Sequence, residues 1–152
     1  MLRNYFIFKQ KFQFISALCI LITACMPITG QYHILPEVNG IWTDTAIWQG
    51  GNYPGLENIA GTVDCYGNVS SYNCLDFVRG ELNIHDTLIV LAGFTLDNTM
   101  TLRLDSGAVL IILGDYLSRD QVEVYNNGCI VVAGEFEMLG ANNQGLFSNE
   151  KY

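Results

Sequence analysis

The chain has 152 residues, half of them hydrophobic and only 14% charged, a composition that can bury a core and excludes intrinsic disorder. Seven basic residues stand against fifteen acidic ones, and three of the seven, Arg3, Lys9 and Lys11, fall in the first thirty positions, where no acid occurs. The remaining body sets four bases against fifteen acids, a balance that repels phosphate backbones and anionic headgroups and so argues against nucleic-acid binding and against membrane attachment through the folded part.

Residues 1–30 read as a signal peptide. A basic stretch without acids precedes the apolar run from Ile15 to Cys25, which is short for a membrane span. Cleavage after Ile28-Thr29-Gly30 would leave Gln31 first in a soluble protein. Alternatively, Ile22-Thr23-Ala24-Cys25 reads as a lipoprotein box in which Cys25 is lipidated, and an uncleaved anchor helix is the third form. Membrane contact is expected only through the signal or that lipid. Export implies an oxidising compartment, so Cys65 and Cys74, which flank the polar turn 66–73, are candidates for a disulfide. Cys129, in an apolar run, reads as a small buried hydrophobe.

Residues 31–73 form a head, expected to act as a cap. Two tryptophans six residues apart, Trp42 and Trp48, are followed by Gly50-Gly51 and Pro54-Gly55, which is a pair of apolar anchors and then a tight loop. The anchors are expected to cover the first coil of the repeat that follows. Trp48 and Tyr53 are the alternative candidates for stacking on a ligand.

Residues 74–139 repeat. Cys74 to Ile84, Leu88 to Leu96, Val109 to Leu117 and Cys129 to Met138 each read as strand, glycine, strand, with glycines at 80, 93, 114 and 134. Gly93 and Gly114 are 21 residues apart, which suits one coil of a parallel β-helix; the expected fold is all-β, a right-handed β-solenoid of about four to five coils, with a β-sandwich as the alternative. Alternation points Leu102, Leu104, Val122 and Val124 inward and leaves Arg103 and Glu123 stacked outside on adjacent coils. Residues 140–152 read as a tail without a cap, so the chain is expected to be either a fragment of a longer protein or one that ends on an open sheet edge.

The run W-T-D-T-A-I-W-Q-G-G-N-Y-P-G from Trp42 and the run S-G-A-V-L-I-I-L-G from Ser106 resemble the heads and rungs of secreted and surface β-helix repeat proteins of Bacteroidota. The resemblance covers about Trp42 to Met138 and rests on motifs that state fold requirements. It implies an adhesin-like surface or secreted protein exported by type IX secretion. The sorting domain that such proteins carry is not present after Met138. Asp44-Thr45-Ala46 and Asp86-Thr87-Leu88 fit the loose O-glycosylation pattern of that group.

No G-x-S-x-G, H-E-x-x-H, phosphate loop or dinucleotide fingerprint occurs, so no catalytic residue and no cofactor is assigned. His33 and His85 have no cysteine or second histidine at ligand spacing, which disfavours zinc. Asp97, Asp105, Asp115 and Asp120 fall near turns, and their spacing fits solvated turn carboxylates better than a calcium loop. Two functions follow: a non-catalytic structural or adhesive surface module, whose partners would be surface glycans or other surface proteins, and a carbohydrate-binding or polysaccharide-degrading β-helix. The second would use Trp48, Tyr53, Tyr66 and Tyr72 as aromatic platforms, with Arg103, Asp105 and Arg119 as its only nearby mixture of charges.

Overall fold

The strand-glycine-strand pattern winds into a parallel β-solenoid of about four turns, not a sandwich. The computed structural model describes residues 30–119, 121–138 and 142–149; residues 1–29, with Cys25 and nearly all of the expected signal, and Asp120 lie outside them. In chain order the strands are β1 (Gly30–Ile34), β2 (Asn39–Ile41), β3 (Ile59–Cys65), β4 (Asn68–Ser71), β5 (Leu75–Ile84), β6 (Thr87–Val90), β7 (Phe94–Leu104), β8 (Val109–Ile112), β9 (Tyr116–Ser118), β10 (Glu123–Val132), β11 (Phe136–Met138) and β12 (Asn142–Asn149). Every ladder between these strands is parallel.

The coils have three faces. The first runs through β1, β3, the second half of β5 and of β7, and the start of β10. The second runs through β2, β4, β6, β8 and the end of β10. The third takes the opening residues of β5 and β7, then β9 and β11. β5 and β7 serve two faces because each bends midway: the register shifts between Phe77 and Arg79, opposite a segment where Asn98 adopts φ 53°.

In-register stacking sends like side chains inward from every coil. Val63, Leu82, Leu102 and Val124 form one wholly buried column of the first face, and Val69, Leu88, Leu110 and Ile130 one of the second. Each such side chain contributes roughly 1.5–3 kcal/mol of burial free energy. Leu102, Leu104, Val122 and Val124 are all buried, as their alternation predicts. Aromatic rings run up the core: Phe77, Phe94, Tyr116 and Phe136 follow one another with centroids 5.0–6.0 Å apart. Trp42 meets Phe77 edge-on at 6.1 Å and Trp48 at 4.9 Å.

Two boundaries, one glycine and one pairing stand apart from the sequence reading. Among the described residues the stack begins at β1, so residues 31–73 already contribute strands β1 to β4 to the coils. What hid the first coil is its excursion between β2 and β3, which carries both tryptophans and two short 3-10 turns, Thr45–Ile47 and Gln49–Gly51. The excursion folds back so that Trp48 bridges Ile34, and Leu35 N–H donates to the Ile47 carbonyl. At the other end, β12 adds a strand beside β10 where a tail was expected. Gly80 does not belong with Gly93, Gly114 and Gly134; it lies inside β5 at φ 114°, level with Gly61, whose carbonyl oxygen a Cβ would strike. Arg103 is level with Tyr125, not Glu123, because β10 pairs with β7 two residues further on.

Candidate functional site

The groups able to do chemistry gather on the first face and the corner that follows it. Register places His33, Asp64, Asn83, Arg103 and Tyr125 in one outward column. Two positions along, just beyond the strand ends, Tyr66, His85 and Asp105 occupy equivalent corners of three successive coils.

Asp64 is the hub of the lower part. Its carboxylate accepts from Asn83 Nδ2 at 2.8 Å and lies 2.8 Å from His33 Nδ1, while the residue as a whole is only 8% exposed. His85 Nδ1 lies 2.6 Å from Asp105 Oδ2, and the Tyr66 ring stacks on the His85 ring at 4.1 Å, nearly parallel. His85 Nε2 faces Asp64 Oδ1 at 3.8 Å, close enough for attraction but too long for a hydrogen bond, so this buried nitrogen has no hydrogen-bond partner. A shallow cleft of about 310 Å³ opens beside the ladder, lined by His33, Ile34, Leu35, Pro36, Gln49 and Tyr66. Above it, the Arg103 guanidinium sits 4.3 Å over the Tyr125 ring, and the Tyr125 hydroxyl donates to Glu123 at 3.0 Å. That hydrogen bond, with the Glu123 charge behind it, raises the Tyr125 pKa.

A histidine fixed by a carboxylate at one nitrogen is how a general base is oriented. In His85 the other nitrogen is buried against a second carboxylate, whereas His33, also held at Nδ1 by Asp64, is partly exposed on the cleft. The nearest thiol, Cys65, is also withheld: it is wholly buried, and desolvation, helped by the Asp64 charge, pushes its pKa far above the usual range. The arrangement holds a tyrosine ring rigid and presents carboxylate, amide and imidazole edges next to it.

The residues proposed from sequence fare differently. Trp48 is 2% exposed, its indole N–H donating to the Trp42 carbonyl, so it offers no face to a ligand and is a core residue. Tyr53 is 38% exposed and lies on the excursion; it does not line the cleft, although Gln49 of the same excursion does. The expected Cys65–Cys74 bridge is not formed: both thiols are free, Cys65 pointing into the core while Cys74 is exposed at a corner. Cys129 is half-buried and faces outward, level with Val109, and so is not a core residue. Asp97, Asp105 and Asp115 are occupied separately, by the Asn98 amide, by His85 and by the Glu135 amide. Among the described residues no three acidic, histidine or cysteine side chains converge as a metal ion requires.

The ladder has no signature that is local in the chain. Its signal is a separation of one coil, as between His85 and Asp105, 20 residues apart. Comparison with protein families, with curated proteins and with solved structures found no match to this chain.

Proposed function

We propose that this chain is a non-catalytic structural and adhesive β-solenoid module, exported to the cell surface or secreted, that meets surface glycans or other surface proteins through its first face. The observation that supports the reading most directly is the way the polar groups of that face are spent on one another across coils. Asp64 engages three neighbours, and His85 is held between Tyr66, Asp64 and Asp105. Side chains so engaged favour a recognition surface over a reacting one.

A carbohydrate ligand is the favoured partner, because the Tyr66 ring, 41% exposed, is pinned flat against His85 at the lip of the cleft. An amphipathic ring held in one plane stacks on a sugar with little entropy lost. The polysaccharide-degrading alternative needs Arg103 and Asp105 free, and each already has a partner.

A glycan array combined with a reducing-end release assay tests this. Binding without turnover, lost in Tyr66→Ala and kept in Trp48→Phe, is the expected result. Turnover of any polysaccharide that disappears in Asp105→Ala or Arg103→Ala would establish the degrading function instead. The mass of the mature N-terminus would separate the soluble form beginning at Gln31 from one lipidated at Cys25.

A further inference from the structure

The cleft beside the ladder contains a polar group whose direction of hydrogen bonding is set by its neighbours. His33 is held at Nδ1, 2.8 Å from Asp64 Oδ2, its side chain 36% exposed on the cleft, and no described residue engages its Nε2. A carboxylate can only accept, so the neutral ring carries its proton on Nδ1 and donates it to Asp64. Nε2 is then a bare lone pair. Asp64 in turn is fixed from behind, because its other oxygen accepts from Asn83 Nδ2 at 2.8 Å.

The surrounding charges favour the same ligands as that lone pair. His33, Ile34, Leu35, Pro36, Gln49 and Tyr66 line the cleft without a lysine or arginine, and Tyr66 is backed by His85 with Asp105 2.6 Å from it. An anionic group entering here meets a lone pair and two nearby carboxylates with no lining cation to balance them. A hydroxyl or an ammonium meets an acceptor.

We propose that His33 Nε2 is the specificity-determining acceptor of the cleft, selecting sugars that present a hydrogen-bond donor over those that present a carboxylate or sulfate. This rests on the reading of the cleft as a glycan site and adds which glycans it takes, namely amino and neutral sugars. Amino sugars rank first, since a charge-assisted hydrogen bond is the stronger kind. Stacking on Tyr66 is indifferent to that choice, and His33 makes it. Asp64 acts through His33 as a positioning residue: its oxygen decides which ring nitrogen holds the proton.

A polarity set in this way can be inverted. In Asp64→Asn the amide oxygen stays with the Asn83 Nδ2 donor, so the amide nitrogen turns to His33 Nδ1. Nδ1 must then accept, the proton moves to Nε2, and the cleft offers a donor where it had an acceptor.

Calorimetric titration at neutral pH with trisaccharides of glucosamine, glucose and glucuronic acid that share one linkage is the test, together with nitrogen-15 spectra of the imidazoles. The unmodified protein should bind the first two at least about tenfold more tightly than the third, the scale of one hydrogen bond. In His33→Phe that preference should collapse while binding through Tyr66 persists; in Asp64→Asn the order should reverse. The spectra should show His33 Nε2 without a proton in the unmodified protein and with one in Asp64→Asn. His33→Phe, at a partly exposed position, decides the question even if Asp64→Asn does not fold. Equal affinity for the three sugars, a preference for the acid, parallel losses in the variants with the order unchanged, or a proton on Nε2 from the outset would each overturn the proposal and leave glycan binding standing. Failure of every sugar to bind would overturn the glycan reading as well.

Discussion

The first and second faces share one core and one repeat, yet their outer surfaces are chemically opposite. On the first, β1, β3, β5 and β7 show His33, Asp64, Asn83 and Arg103 in register. On the second, β4, β6, β8 and β10 show Ser70, Ile89, Ile111 and Val131 at the corresponding outward places. The inward columns are interchangeable in kind, so the fold does not require this difference. A solenoid fixes which side chains lie above one another and leaves each outward column free, so neighbouring columns can carry unrelated tasks.

The largest expected effects come from substitutions that ignore the difference. Leu82→Ala beneath the first face and Leu110→Ala beneath the second should each cost about 2–5 kcal/mol, because both side chains are fully buried. Ile111→Ala, one residue away but pointing out, should cost under about 1 kcal/mol. Denaturant midpoints of the three variants check this, and an equal cost for Ile111→Ala would mean that its outer side is as covered as its inner.

An intermediate effect is confined to the first face. Asp64→Ala removes the acceptor of Asn83 and the partner of His33 and should cost roughly 1–3 kcal/mol, whereas Asp64→Asn keeps one acceptor oxygen and should cost less. Equal losses from the two variants would show that the site needs charge and not a hydrogen bond.

The smallest effect at neutral pH concerns the core that both faces share. Burial raises the pKa of Cys65 and of Tyr116, so the folded state holds both protons more tightly than the unfolded state does. Their contribution is intact at pH 7 and diminishes as pH climbs above about 8.5, where the thiol of the unfolded chain starts to ionise, and further above about 10 for the phenol. Thermal unfolding between neutral and alkaline pH should show a falling midpoint, less steep near pH 9 in Cys65→Ala.

How much of this was legible in the sequence depends on coil length. Glycine-punctuated alternation was enough for the parallel solenoid and for the inward places of Leu102, Leu104, Val122 and Val124. It was not enough for Arg103 and Glu123, because successive coils differ in length: Leu82 aligns with Leu102, 20 residues on, but Leu102 with Val124, 22 on. An error of two residues keeps a side chain on the correct face and gives it the wrong neighbour. The first coil is masked in the sequence for the same reason, since Tyr32 aligns with Val63 across the tryptophan excursion. The histidine ladder combines residues from that hidden coil with residues from visible ones, so it emerged only with the register. The apolar second face was readable in the unbroken run from Val109 to Leu113, which a strand solvated on one side has no need of.

Both tryptophans of the chain, packed edge-on in the first coil, make that end its own reporter. Indole emission registers the loosening of that coil, whereas far-ultraviolet dichroism averages over all the strands. In a quasi-one-dimensional stack, where each coil touches only its neighbours, the gap between those two melting curves measures how far unzipping travels before the whole column gives way.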